Sequence, residues 1–241
     1  MKKKNLVMLS ATLLTAIALA ACSPSTDSSA ENSETTPSSS IDLSQVELPQ
    51  LDNEIKENES VVEITTSKGK ITVKLFPDIA PKAVENFVTH AKDGYYDGTT
   101  FHRIIEEFMI QGGDPNGDGT GGESIWGEGF TVEKSNQLYH IRGALSMARA
   151  QALDSQGSQF FIVQNTQDMT KDLAIQFTPE KIIEAYKNGG FPSLDGEYTV
   201  FGQVIDGMDV VDEIAKVETG ANDIPTEEVT IESMKVIQEA K

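Results

Sequence analysis

The sequence predicts a mainly β fold: a closed antiparallel barrel with helices near its ends and one helical insertion. Short runs rich in Val, Ile, Thr and Phe recur along the chain, Gly, Asp and Thr punctuate them, and apolar residues at helical spacing are confined to a few stretches. That pattern suits an all-β enclosure rather than an alternating βαβ array.

Taken in order, Val61–Thr65 and Lys70–Leu75 flank Ser67-Lys68-Gly69 and read as a hairpin. Pro81 opens a helix that carries Ala83, Val84, Phe87, Val88 and Ala91 on one face and stops at Gly94. Further strands are expected around Phe101, around Met109, near Phe130, over Ala144–Ala148, over Gln159–Val163 and over Thr199–Val204. Asp206 is expected to cap a short helix through Ala215, and Glu228–Ile237 alternates as a last strand. Between Gln164 and Leu194 lies the insertion, read as a helical lid or spacer. Its helix starts at Thr178-Pro179-Glu180, presents Ile182, Ile183 and Tyr186, and ends at Gly189-Gly190.

Residues 1–21 read as an export signal: Met1-Lys2-Lys3-Lys4-Asn5 precedes an apolar run from Leu6 to Ala21. Ser10, Thr12 and Thr15 interrupt that run, whereas a spanning helix needs about 20 apolar residues. Leu19-Ala20-Ala21-Cys22 resembles the bacterial lipoprotein box, in which the cysteine becomes the lipidated first residue. Cys22 is the only cysteine, so an intramolecular disulfide is excluded. Residues 22–59 are expected to be the lipidated cysteine and a tether, disordered over Ser23–Ser40 and loosely ordered over Ile41–Glu59. Residues 60–241 are the expected folded domain. The formal charge is −19, and −22 once Lys2, Lys3 and Lys4 leave with the signal. So acidic a surface repels nucleic acid and anionic lipid, which leaves the lipid on Cys22 as the membrane contact.

The chemistry is concentrated in Phe101–Asp114, the glycine-rich loop to Glu123, and Gly157–Val163 downstream. Arg103 is a permanent cation among Phe101, Phe108, Met109 and Phe161, with the amides Gln111 and Gln159 on the same strands. A guanidinium keeps its proton and donates through a planar fork. An apolar pocket with one fixed donor suits chemistry in which no proton leaves the substrate, and it lacks the base or nucleophile of a hydrolase. No Gly-x-Ser-x-Gly elbow is present. Asp114, Asn116 and Asp118 imitate the start of a calcium loop, but its twelfth position is Ile125 rather than Glu. The Gly-Lys-Ser/Thr ending of a phosphate loop is missing too, so the glycines read as room for a ligand backbone. His90, His102 and His140 are scattered without metal-ligand spacing. Composition alone does not separate a Phe-Met pocket from ordinary core.

Phe101-His102-Arg103-Ile104-Ile105, Phe108-Met109-Ile110-Gln111-Gly112-Gly113-Asp114, Gly119-Thr120-Gly121-Gly122, Leu145-Ser146-Met147-Ala148, Gly157-Ser158-Gln159-Phe160-Phe161-Ile162 and Val200-Phe201-Gly202 together resemble the cyclophilins. The resemblance covers Val61 to Ile237 in family order. It implies an eight-stranded antiparallel barrel closed at each end by a helix, and peptidyl-prolyl cis-trans isomerase activity with no cofactor or metal. Arg103 is then the catalytic cation. Phe108, Met109, Phe161 and Leu194 form a proline pocket, with Tyr198 where many members have histidine. Gln111 and Gln159 hold Arg103 and substrate, the backbone of Ala148-Arg149-Ala150 pairs with the peptide, and His102 lines the groove. Ser193 stands where tryptophan is frequent and Arg149 where asparagine is, departures that bear on cyclosporin binding and substrate preference. With the signal and tether, the chain looks like a monomeric surface lipoprotein of a Gram-positive bacterium, acting on Xaa-Pro bonds of unfolded, exported polypeptides. The alternative is a proline-peptide binding, adhesion or chaperone module with little turnover.

Overall fold

A computed structural model describes residues 42–241. The expected signal, Cys22 and the Ser23–Ser40 tether lie outside the described residues.

Strands β1 (Ser60–Thr66) and β2 (Gly69–Leu75) form the expected hairpin. The Thr66 hydroxyl accepts from Lys68 N and Gly69 N, both at 3.1 Å, and so ties its turn. Helix α1 (Pro81–Lys92) follows, with Pro81 in its first turn and Ala83, Val84, Phe87, Val88 and Ala91 buried. The Glu133 carboxylate, distant in sequence, accepts from Lys82 N at 3.1 Å and Ala83 N at 2.9 Å and supplies the missing cap. Next come β3 (Arg103–Ile105), β4 (Met109–Gly112), β5 (Ala144–Met147) and β6 (Phe160–Val163). Then α2 (Glu180–Tyr186), β7 (Val200–Asp206), α3 (Met208–Ala215) and β8 (Ile231–Gln238) complete the chain.

The eight strands make one antiparallel, curled sheet in the order β3-β4-β6-β5-β7-β2-β1-β8. Its ladder does not run round to closure, which corrects the expected closed barrel. Residues just ahead of the edge strands come together instead: Phe101 N donates to Val229 O at 2.9 Å, and Ile231 N to Thr99 O at 2.8 Å. β3 is too short to carry that pairing further along the seam.

Alternation along the strands sorts the side chains onto two faces. Ile104, Ile110, Ile162, Leu145 and Phe160 point inward, where they join Phe87, Phe101 and Phe201 in the main core. Met109, Phe161, Val163 and Ala144 point outward and form a second apolar cluster with Phe76, Leu138 and Val200.

Three further expectations change. Near Phe130 there is an isolated bridge to Gln156 rather than a strand, because Gly127 and Gly129 keep the flanking chain irregular. Asp206 ends β7 and does not cap α3. The cap position is Gly207, whose φ of 86° and close approach to Lys70 O admit no side chain. Residues 42–59 are not loose. Gln50 is buried, accepts from Tyr139 N at 2.7 Å and donates to Tyr139 O and Gln203 Oε1, both at 2.9 Å. Buried Lys74 donates to Asp52 O at 3.0 Å and Glu54 O at 2.9 Å, with the buried Glu59 carboxylate 3.6 Å away.

In the insertion, α2 begins after Pro179 and buries Ile182 and Tyr186 against Tyr139 and Ile141, beside Leu48. It packs on the segment that leads into β5.

Candidate active site

A single row of backbone pairs lays out the site on the outer face. Arg103 on β3 sits opposite Gln111 on β4, Gln111 opposite Phe161 on β6, and Phe161 opposite Ser146 on β5. Two residues along from Gln111, Met109 shares its face. From the far end of the insertion the short turn Pro192–Leu194 brings in Leu194, and Tyr198 follows. Arg103, Phe108, Met109, Phe161, Leu194 and Tyr198 thus enclose a slot of about 140 Å³, whose rim is completed by Gln111, Ala148 and Arg149. Phe108 packs on Phe191 at 4.4 Å between ring centroids, and Tyr198 meets Phe161 edge-on at 5.9 Å.

Beside the slot, and sharing Gln111, Ala148 and Arg149 with it, lies a second hollow of about 300 Å³. Its wall is the glycine loop over Gly119–Gly122, together with Ala150, Ser155 and Gln159. Gln111 Nε2 donates to Gln159 Oε1 at 2.9 Å, and Gln159 Nε2 donates to Gly121 O at 2.7 Å and Gly119 O at 3.2 Å. Gln159 therefore holds the loop, and Gln111 holds Gln159. Neither is hydrogen-bonded to Arg103, contrary to the expectation that they hold it.

Arg103 is half-exposed, and its one side-chain hydrogen bond within the described residues runs from Nε to Asp223 Oδ2, at 3.3 Å. Asp223 lies 120 positions away, so no local pattern pointed to it. Arg149 stacks over the Tyr198 ring at 4.5 Å and donates to Glu197 O, Ala150 O and Gln151 O, so it clamps the rim of the slot. The Ala148 N–H is spent on Gln159 O at 2.9 Å.

Two predicted members lie elsewhere. Phe101 is in the main core, because β3 begins only at Arg103 and the preceding residues leave the strand's alternation. His102 is buried beneath the glycine loop rather than lining the groove, 3.6 Å from where a side chain on Gly119 would start. Neither of its ring nitrogens has a hydrogen-bond partner. Burial holds its imidazole below the ordinary 6.5, against the pull of Asp114.

Sequence reasoning also missed a buried chain of hydrogen bonds behind the slot. His140 Nε2 lies 3.1 Å from Ser146 Oγ, and His140 Nδ1 lies 2.9 Å from Asp195 Oδ1. Asp195 also accepts from His140 N at 2.8 Å and from the Tyr186 hydroxyl at 2.6 Å. The order of groups is that of a hydrolytic triad, yet Ser146 and His140 are fully buried and Ser146 Oγ donates to Thr199 O. A substrate carbonyl has no access to that hydroxyl, so the chain serves structure. Among the described residues, no group of three or more His, Cys, Asp or Glu side chains is placed to hold a metal ion.

The family model of the cyclophilin-type peptidyl-prolyl cis-trans isomerases matches residues 61–236. The chain is a cyclophilin. A Staphylococcus epidermidis protein assigned as a peptidyl-prolyl cis-trans isomerase is 53% identical over 190 residues, covering 77% of this cyclophilin and 96% of the relative. The Staphylococcus haemolyticus counterpart is 54% identical over the same length. Among solved structures, a cyclophilin-type isomerase of Cryptosporidium parvum matches with a TM-score of 0.63 and 34% identity, over 75% of this chain and 99% of the other. A further crystal structure of that protein was obtained in the presence of the dipeptide Ala-Pro. The cyclophilin described here is accordingly a peptidyl-prolyl cis-trans isomerase, and the match spans all eight strands together with the site row.

Proposed function

We propose that this cyclophilin turns Xaa-Pro bonds in unfolded, exported polypeptides at the outer face of the cell membrane, as a monomer held there by lipid on Cys22, with Arg103 as its catalytic cation. Rotation about Xaa-Pro faces a barrier of about 18–20 kcal/mol because the amide must give up its resonance. In the twisted amide the proline nitrogen regains a localised lone pair. Arg103 donates to that nitrogen, an interaction unavailable to the planar ground state, so it stabilises the transition state selectively. Lowering the barrier by about 6 kcal/mol accelerates the reaction roughly 10⁴-fold. Phe108, Met109, Phe161, Leu194 and Tyr198 hold the ring in the slot while the residues before proline turn, and their apolar surface strengthens the Arg103 contact by excluding water. The neighbouring hollow, with Gln111, Gln159 and the stretch Ala148-Arg149-Ala150, receives the peptide upstream of proline.

One observation carries this reading: the terminal nitrogens of Arg103 make no hydrogen bond among the described residues, and Arg103 lines a slot together with Phe108, Met109, Phe161, Leu194 and Tyr198. The test is magnetisation exchange on a short Ala-Pro peptide with wild type and Arg103→Ala. Removing the donor is expected to lower kcat/KM by about 10²–10³ while the melting temperature holds. Saturable binding without exchange by wild type would instead establish a proline-peptide binding, adhesion or chaperone module. For the anchor, Cys22→Ala is expected to release the protein from the cell surface into the medium. Its retention at the membrane would refute lipid attachment at that residue.

A further inference from the structure

We propose that Asp223 is a positioning residue for Arg103, fixing which of the guanidinium donors face the slot. The proposal rests on Arg103 being the catalytic cation. A guanidinium has one Nε–H and four hydrogens on its terminal nitrogens, and rotation about the side chain decides which edge a substrate meets. Here the Nε edge is taken by Asp223 Oδ2 at 3.3 Å, which leaves the terminal edge for the proline nitrogen. Without that carboxylate, no other hydrogen bond within the described residues holds the fork, since Gln111 and Gln159 bond to each other and to the glycine loop.

The backbone under Asp223 is built for this contact. Asn222 and Asp223 both adopt φ of 61°, a left-handed conformation costly for side-chain-bearing residues and uncommon at two successive positions. The surrounding turn is closed by the bridge between Thr219 and Pro225 and by Gly220 N donating to Ile224 O at 2.7 Å. It stands beside the edge strand β3, which carries Arg103. Both partners are half-exposed, so the pair adds little to stability, and its geometry is what the turn preserves.

Two variants separate orientation from folding. Asp223→Gly removes the carboxylate and tolerates the left-handed backbone, whereas Asp223→Asn keeps an acceptor oxygen in place. Expected for the Gly variant is a kcat about tenfold lower with KM nearly unchanged, because a misaimed donor is felt in the twisted state and not in ground-state binding. The ¹⁵Nε resonance of Arg103 is expected to shift in the same variant, and Asp223→Asn is expected to restore most of kcat. Wild-type turnover by the Gly variant, or lost turnover with an unmoved Arg103 resonance, overturns the proposal. If wild type itself fails to isomerise the peptide, the catalytic reading of Arg103 fails, while the Nε resonance still reports whether Asp223 holds the fork.

Discussion

His102 shows what a single buried side chain does to the pH response. Burial depresses its folded pKa below 6.5, so the unfolded chain takes up the proton first as pH falls. The stabilising contribution of neutral His102 is complete above about 6.5 and is lost as pH falls from there through the lower folded value. His90, depressed chiefly by desolvation as well, acts in the same direction. The melting temperature of wild type is therefore expected to fall between about pH 7 and 5 more steeply than that of His102→Phe, measured by calorimetry. Parallel curves would remove His102 from the account. At the same scale Gly113 is required by space: a β-carbon there meets Ser158 O at 2.7 Å and Phe160 Cδ1 at 2.8 Å, and φ is 82°. Gly113→Ala is expected to cost about 2 kcal/mol in denaturant unfolding. Arg103, Met109, Gln111 and Phe161 were legible as a site through the family resemblance of their motifs, and strand pairing puts them on one face. Asp223 was not, because its contact depends on a turn whose left-handed residues leave no periodic trace.

Among the elements, the insertion acts through its end. The α2 hydroxyl of Tyr186 and the His140 ring both bind Asp195, next to Leu194, and burial raises the Tyr186 phenol far above its ordinary value. Asp195→Ala leaves His140 N, His140 Nδ1 and the Tyr186 hydroxyl without their acceptor. A loss of about 3 kcal/mol in unfolding free energy and a raised KM for Ala-Pro peptides are expected, the latter because Leu194 and Tyr198 lose their support. Unchanged KM in a folded variant would detach the insertion from the slot. The helix in this insertion was readable from Ile182, Tyr186 and its glycine stop. Its role as a brace was not, because Asp195 meets His140 across 55 positions. Capping behaved likewise: α1 was legible by its apolar face, whereas its cap comes from Glu133, 50 or more residues downstream.

For the whole molecule, the domain boundary moves. Sequence polarity placed the start of the folded part at Ser60, but residues 49–59 supply Gln50 to Tyr139 in the segment before β5 and oxygens to the buried ammonium of Lys74. A chain beginning at Ser60 is expected to unfold at least about 3 kcal/mol more easily than one beginning at Asp42, because buried Lys74 loses the oxygens of Asp52 and Glu54 and the carboxylate of Glu59. Equal stability of the two would show that Lys74 finds other partners. The stretch looked loosely ordered since it is mixed and acidic, with its few apolar residues in no sustained period. Its order comes from a lysine placed inside the sheet, which hydropathy counts only as one more charge.

The strand order has a consequence for the making of this protein. β1 lies between β2 and β8, the first and last strands of the sheet in sequence order being neighbours. A polypeptide made from its amino end presents β1 early and β8 last. Until β8 is available, β1 keeps a bare edge and the sheet stays unfinished, so completion of this fold waits on a pairing between strands far apart in the sequence.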